Sequence, residues 1–191
     1  MTVIVGVCDG SSVWMGADSL AGNSAYVLNG KLLKIVRLPV PLEGGSEAVM
    51  LIGSSGDFRP SFLLSQMALP EHEKGIDVLV YVAGKVVDCV RSAYRDNGYL
   101  QKESEREGGN CHILIGYQGR LFSMWDEFQV VETADPYMAV GSGMYLALGA
   151  LAATERIKPE RRVELALLAA EKHNPYVRRP FQFEHVEVQH G

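Results

Sequence analysis

Three polar residues at the edges of apolar runs have side chains suited to nucleophilic chemistry: Thr2, Asp18 and Lys34. If Met1 is removed, Thr2 becomes the N-terminal residue and carries an α-amine beside its γ-hydroxyl. An α-amine titrates near ~7.7–8.0, so at neutral pH it can act as general base for the hydroxyl of its own residue. The alternative interpretation is a β-strand that merely begins at residue 2.

Lys34 interrupts the otherwise apolar run 32–35. A lysine buried in such a run is costly unless a carboxylate pairs with it, and Asp18 is the candidate partner. The alternative is an ion pair at the surface, which would contribute little to stability. A further polar segment, Gly-Ser-Ser-Gly-Asp at residues 53–57, follows an apolar run and thus lies at the end of a predicted strand.

The elements that must position these residues follow from changes in hydrophobic period. Thr2 begins a β-branched run typical of a buried strand, and Asp9-Gly10-Ser11 predicts a hairpin turn. Helical spacing begins after Asp57, a candidate N-cap. We predict strands at 2–8, 12–17, 26–28, 32–38, 48–53, 112–117, 120–125, 128–131, 137–140 and 181–188, helices at 57–67, 75–97, 144–154 and 159–173, and loops at 39–46 and 101–109.

This order of elements predicts the architecture. Two sheets packed face to face, each covered outside by a pair of helices, would bury every apolar face. The fold class is therefore α+β, a four-layer αββα sandwich, formed by one domain over residues 1–191.

The spacing of the polar residues resembles that of the proteasome β-subunits and HslV peptidases, which are N-terminal nucleophile (Ntn) hydrolases. In that family an aspartate follows the nucleophilic threonine after sixteen residues, and a lysine follows the aspartate after sixteen more. The resemblance covers nearly the whole chain. The matching residues are Thr2, Asp18 and Ser19 in Gly-Ala-Asp-Ser, Lys34, Gly53 with Asp57 four residues later, and Ser142 in Gly-Ser-Gly.

The resemblance implies a role for each matching residue. Thr2 would be the nucleophile, and Lys34, kept charged by Asp18, would hold its hydroxyl and lower the pKa of the α-amine. The amide of Gly53 would stabilise the oxyanion, and Ser142 would orient the amine or relay a proton. Ser19 and Asp57 would support this site.

Three positions depart from the family pattern. Val3 stands where the family generally has a second threonine. Asn174 stands where many members have an aspartate in contact with the nucleophile's amine, and Val177 stands in the place of the serine of that motif. Asn174 would therefore support the amine through a hydrogen bond without supplying charge.

The activity that the resemblance implies is threonine-type hydrolysis of peptides or unfolded proteins, without a cofactor or metal. It also implies a homo-oligomeric ring and a possible AAA+ ATPase partner. Apolar residues beyond one buried stripe of helix 75–97, namely Val78, Val82 and Cys89, favour an interface on that helix.

Other functions are alternatives to this one. A non-catalytic ring or scaffold subunit and an Ntn amidohydrolase acting on a small amide both remain open. A serine hydrolase is poorly supported, because neither Gly-Ser segment forms a G-x-S-x-G elbow. The histidines, including His72 in Glu71-His72-Glu73, lack metal-ligand spacing.

The bulk properties limit the partners. The net charge of -5 and the pI of about 5.5 argue against nucleic acid or an anionic membrane as partner. No apolar run reaches the ~18 residues of a membrane span. The three cysteines are widely spaced and odd in number, which is typical of reduced thiols and predicts a cytoplasmic protein.

Overall fold

β-Branched and apolar runs form two antiparallel sheets in the computed structural model, which describes residues 2–22, 27–28, 33–103 and 106–189. The strands are β1 Ile4–Cys8, β2 Ser12–Ala17, β3 Ala21–Gly22, β4 Val27–Leu28, β5 Ile35–Pro41, β6 Glu47–Gly56, β7 Gln101–Glu103, β8 Arg106–Gly108, β9 Cys111–Tyr117, β10 Arg120–Met124, β11 Val130–Glu132, β12 Tyr137–Val140 and β13 Gln182–Glu187. A four-stranded sheet has the order β12-β1-β2-β13, and a five-stranded sheet has the order β11-β10-β9-β6-β5.

Helices cover the outer face of each sheet. Those near the middle of the chain pack on the five-stranded sheet, and the C-terminal pair packs on the four-stranded sheet. A third apolar cluster, which includes Ile4, Met15, Leu51 and Leu114, lies between the two sheets. The predicted αββα sandwich is therefore confirmed. The helices are α1 Phe58–Ser65, α2 Val78–Tyr81, a π-helical turn Val82–Val86, α3 Val87–Asp96, α4 Met144–Ala152 and α5 Pro159–His173.

Several predicted boundaries are correct. The first hairpin pairs Ile4 with Ala17, and both the strand Tyr137–Val140 and the helix Pro159–His173 have the predicted limits. The predicted strand at 26–28 is described only at Val27–Leu28, and residue 26 lies outside the described residues.

The predicted loop at 39–46 is wrong at its beginning, because β5 continues to Pro41. β5 is an edge strand whose even-numbered residues hydrogen-bond to β6, as shown by the bonds from Ser54 N to Lys34 O and from Leu42 N to Ser46 O. Pro39 and Pro41 therefore face away from the ladder, where a missing N–H costs no sheet hydrogen bond.

The predicted loop at 101–109 is also wrong, because β7 pairs with β8. Backbone pairing produces this hairpin without an alternation of apolar side chains in the sequence. The helix predicted at 75–97 begins at Val78, where the side chain of Asp77 accepts a hydrogen bond from Leu79 N. A π-helical turn interrupts its regular period at Val82–Val86.

The three residues predicted to form an apolar surplus on this helix are buried or half-buried. Val82 is fully buried, and Val78 and Cys89 are half-buried. Val78 packs on the cluster that covers the large sheet. Those three residues therefore do not form an exposed interface. Val80, which is 63% exposed, is more exposed than any of them.

Candidate functional site

Asp18 and Lys34 form a buried ion pair beside the start of β1. Asp18 directly follows β2, and Lys34 directly precedes β5, so the pair joins the ends of strands from the two sheets. Lys34 Nζ lies 2.8 Å from Asp18 Oδ1, and the two side chains are 2% and 0% exposed. This burial excludes the surface ion pair that the sequence left as an alternative.

The carboxylate of Asp18 also binds the backbone next to Thr2. Val3 N donates to Asp18 Oδ1 at 2.9 Å, and Leu20 N donates to Oδ2 at 3.1 Å. In return, Asp18 N donates to Val3 O at 3.3 Å. Both carboxylate oxygens are thus satisfied, as a buried charge requires, and Lys34 is tied through one oxygen atom to the residue after Thr2.

Burial dominates the electrostatics of Lys34. Removal of water lowers the pKa of the Lys34 ammonium below its ordinary value, although attraction and a hydrogen bond from Asp18 act in the opposite direction. A lysine in this state loses its proton more readily than an exposed lysine does. Such a perturbed cation beside a candidate nucleophile is typical of functional sites.

Thr2 is buried and held by the segment that follows β12. Thr2 N donates to Ser142 Oγ at 3.2 Å, and Ser142 Oγ donates to Thr2 O at 3.3 Å. Gly143 N donates to the same carbonyl at 3.3 Å. Gly141 permits this approach, because it has φ +94 and a Cβ there would lie 2.3 Å from Thr2 O. The structure therefore brings Ser142 to Thr2, across 140 residues of sequence.

Asn174 is close to the site, but its contact differs from the predicted one. Its Nδ2 donates to Ser142 O at 2.9 Å, and its Oδ1 accepts from Tyr176 N at 2.9 Å. The contact with the nitrogen of Thr2 comes instead from Ser142 Oγ. The side-chain nitrogen of Asn174 thus fixes the backbone at Ser142, and its oxygen fixes the backbone at Tyr176.

Ser19 and Asp57 occupy different surroundings. Ser19 N donates to Arg178 O at 3.1 Å, which ties the end of β2 to the segment before β13. Asp57 precedes α1 without capping it through its side chain, and instead accepts from Tyr99 OH at 2.9 Å. Ser19 thus lies next to the ion pair in the chain, whereas Asp57 is bound to a different part of the fold.

The register of β6 bears on the oxyanion role predicted for Gly53. Even-numbered residues of β6 bond to β5, so the odd-numbered peptides face β9, where Gly53 pairs with Leu114. The amide of Gly53 is therefore directed into the five-stranded sheet. For it to bind an oxyanion, it must leave this pairing.

Two residues near the site escaped the sequence analysis. Ser55 in β6 is buried, and its Cβ lies 3.3 Å from the place where a Cβ of Gly141 would be. Gln182 in β13 binds the backbone of Lys34 and Ile35. Ser55 could have been considered because it lies in the Gly-Ser-Ser-Gly segment, but Gln182 belongs to no motif.

Features elsewhere in the described residues do not point to a different site. Both ring nitrogens of His72 are within hydrogen-bond distance of protein oxygens, Tyr117 OH and Ile76 O. A cavity of about 580 Å³ borders His72 but is lined by none of the predicted site residues. Within the described ranges no group of three or more His, Cys, Asp or Glu is arranged to hold a metal ion. No helix among these residues is both long and apolar enough to cross a membrane.

Comparison with known proteins identifies the fold. No protein-family model matches the sequence, and no curated protein does. Among solved structures, Thiobacillus denitrificans BPH in complex with epoxomicin is 20% identical with a TM-score of 0.78, covering 98% of this chain and 100% of that chain. HslV from Trypanosoma brucei is 16% identical with a TM-score of 0.66, covering 97% and 99%. Anbu (ancestral beta-subunit) from Yersinia bercovieri is 16% identical with a TM-score of 0.65, covering 97% and 81%. The chain therefore has the proteasome-like fold that the sequence predicted.

Proposed function

We propose that this protein is a threonine peptidase of the Ntn type, with Thr2 as nucleophile after removal of Met1. The observation that carries the proposal is the buried Lys34–Asp18 pair, which is bound through Asp18 to the residue next to Thr2. Burying a paired lysine has a large desolvation cost, and a buried ion pair often adds no net stability. A purely structural role therefore does not explain why a lysine is buried here. Next to an N-terminal hydroxyl it supplies a fixed positive charge where the nucleophile must form.

The proposed reaction uses the Thr2 hydroxyl and the Thr2 α-amine. The hydroxyl oxygen attacks the peptide carbonyl while the amine accepts the hydroxyl proton, directly or through a water molecule. That proton then goes to the leaving amine as the C–N bond breaks, which leaves an ester on Thr2. Water hydrolyses the ester and regenerates the hydroxyl.

Neighbouring groups adjust the amine and the oxyanion. Ser142 Oγ lies 3.2 Å from the nitrogen of Thr2, where it can orient the free amine. The Lys34 ammonium would favour the neutral form of the amine through like-charge repulsion. We retain the Gly53 amide as the proposed oxyanion donor, on the condition that it separates from Leu114 when substrate binds.

Likeness of fold supports peptides or unfolded proteins as substrates. HslV and Anbu share the sandwich, and the resemblance drawn from the sequence implies a homo-oligomeric ring with a possible AAA+ ATPase partner in the cytoplasm. An enclosed chamber would confine an N-terminal nucleophile that could otherwise attack folded proteins in its surroundings. Light scattering of the purified protein tests the assembly, and a single species at the monomer mass of 20.9 kDa would contradict it.

One observation favours a non-catalytic ring subunit as the second candidate. Asn174 supplies no charge near the nitrogen of Thr2, and its side chain is occupied by Ser142 O and Tyr176 N. A subunit of that kind would keep the fold and the interface without turnover. A small-amide hydrolase would use the same residues and differs only in substrate.

The deciding experiment compares wild type with Thr2→Ala and Thr2→Ser. Intact mass first establishes loss of Met1 in each protein, because the amine exists only after its removal. We expect wild type to cleave fluorogenic peptides and to bind a peptide boronate or epoxomicin. Thr2→Ser should keep measurable turnover, and Thr2→Ala should lose it without a change in melting temperature. Undiminished hydrolysis by Thr2→Ala would refute the assignment of the nucleophile.

A further inference from the structure

The side chain of Gln182 reaches from one sheet to the other and binds the backbone at Lys34. Its Oε1 accepts hydrogen bonds from Lys34 N at 3.1 Å and from Ile35 N at 3.2 Å. Its Nε2 donates to Ile35 O at 2.7 Å. Gln182 begins β13, an edge strand of the four-stranded sheet, and Ile35 begins β5, an edge strand of the five-stranded sheet.

Each polar group of Lys34 is thereby held by a different part of the chain. Gln182 binds its N–H, Ser54 N donates to its carbonyl at 3.1 Å, and Asp18 binds its ammonium. A lysine side chain has many rotamers, and fixing its backbone removes one source of variation in where Nζ lies. Placement of a catalytic charge matters, because an error of about 1 Å can cost about 10²-fold in rate.

We propose that Gln182 is a positioning residue that holds Lys34, and through it the ammonium, in place beside Thr2. A side-chain amide can accept from two N–H groups through its oxygen and donate to a carbonyl through its nitrogen at the same time. The inference rests on the proposed function for its kinetic consequence, but the three hydrogen bonds that carry it are independent of that function.

A second link between the same two strands provides the matched control. Arg37 of β5 donates to Glu184 Oε2 at 2.9 Å and to His185 O at 3.1 Å, both in β13. This link does not touch Lys34, although Glu184 also accepts from Gln182 Nε2 at 3.3 Å through its other oxygen. Arg37 is about half exposed. Arg37→Ala therefore removes a contact between the sheets without releasing the lysine.

The experiment compares Gln182→Met, Gln182→Glu and Arg37→Ala with wild type. Methionine has a similar size and cannot make the three hydrogen bonds, whereas glutamate keeps the acceptor and loses the donor. We expect Gln182→Met to lower kcat about 10- to 100-fold with KM within about threefold. Gln182→Glu should lower kcat at least as much, because its second oxygen would face Ile35 O and Glu184 Oε1 without a proton to donate. Arg37→Ala should keep kcat within about threefold even if its melting temperature falls equally. Wild-type kcat in Gln182→Met, or an equal loss in Arg37→Ala, would overturn the inference.

Titration of the lysine separates this inference from the proposed function. Incorporation of ¹³C-labelled lysine during expression lets NMR follow protonation of Lys34 in proteins that need not turn over substrate. If Lys34 is released from its buried position, its midpoint should rise towards that of an exposed lysine in Gln182→Met and stay unchanged in Arg37→Ala. An inactive wild type with this shift would refute the peptidase and support the positioning role. An unchanged midpoint in Gln182→Met would refute the positioning role even in an active enzyme.

Discussion

Replacing Lys34 with methionine should destabilise the protein by an amount that the structure allows us to work out. The substitution keeps most of the side-chain volume but removes the ammonium that pairs with Asp18. Asp18 is fully buried, so its carboxylate would remain in the protein interior without a cation. Breaking a buried pair by removing one partner typically costs about 3–5 kcal/mol.

The expected value lies at the low end of that range, about 3 kcal/mol. Val3 N and Leu20 N still donate to the carboxylate of Asp18 after the substitution. These two hydrogen bonds offset part of the cost of leaving the carboxylate without water or a cation. For a chain of 191 residues, each kcal/mol shifts the melting temperature by about 2–4 °C. Lys34→Met should therefore melt about 6–12 °C below wild type.

The assay is denaturant unfolding followed by circular dichroism, at one protein concentration because assembly would add to the apparent stability. The double variant Asp18→Asn/Lys34→Met removes both charges and should recover part of the loss, since contacting residues couple by about 0.5–3 kcal/mol. If Lys34→Met unfolds at the wild-type denaturant concentration, loss of the ammonium does not lower the free energy of unfolding, and the predicted cost of an unpaired Asp18 is wrong. A double variant less stable than Lys34→Met would also contradict it.

Three further predictions follow from the structure. Because burial lowers the pKa of Lys34, we expect the peptidase rate to fall with rising pH before an ordinary lysine would lose its proton, and a pH–rate profile without this fall would contradict the role of the ammonium. Over the same window the unfolded chain binds more protons than the folded one, so this group makes the folded state more stable as pH rises. Gly141→Ala should cost about 1–3 kcal/mol in unfolding, because φ is +94 and the new Cβ would meet Thr2 O. Gly149→Ala in α4, where a Cβ would contact nothing within 4 Å, should be neutral or stabilising, and equal unfolding midpoints for the two variants would refute the steric argument.

The Asp18–Lys34 pair could be predicted because the physical constraint on it is severe. A charge within a buried run needs an opposite charge, and the sequence offered Asp18 as its partner. The hairpin of β1 and β2 was equally accessible, since its turn residues and apolar runs indicate the same structure. For the ion pair and the hairpin, the local sequence pattern favours the same arrangement as the tertiary structure. Both can therefore be predicted from short segments of the sequence.

Other features depend on contacts that no local pattern records. The extension of β5 to Pro41 depends on its position at the edge of a sheet, where proline loses no hydrogen bond. Asn174 was expected near the nitrogen of Thr2, but the end of α5 brings its side chain to Ser142 O. The bond from Gln182 to Ile35 O spans 147 residues, and its partner is a backbone group that every residue possesses.

The register of the four-stranded sheet explains why these residues meet. Ile4 lies opposite Ala17 in β2 and opposite Val140 in β12, so each step back along β1 corresponds to a step forward in both neighbours. Continued to the end of the strand, these registers bring Val3 opposite Asp18 and Thr2 opposite Ser142, as the observed hydrogen bonds show. The spacing from Thr2 to Asp18 is therefore a property of the hairpin, and a single inserted residue in its turn would move the carboxylate away. Lys34 comes from the other sheet, where no register with β1 fixes it, which is why its place depends on contacts such as those of Gln182.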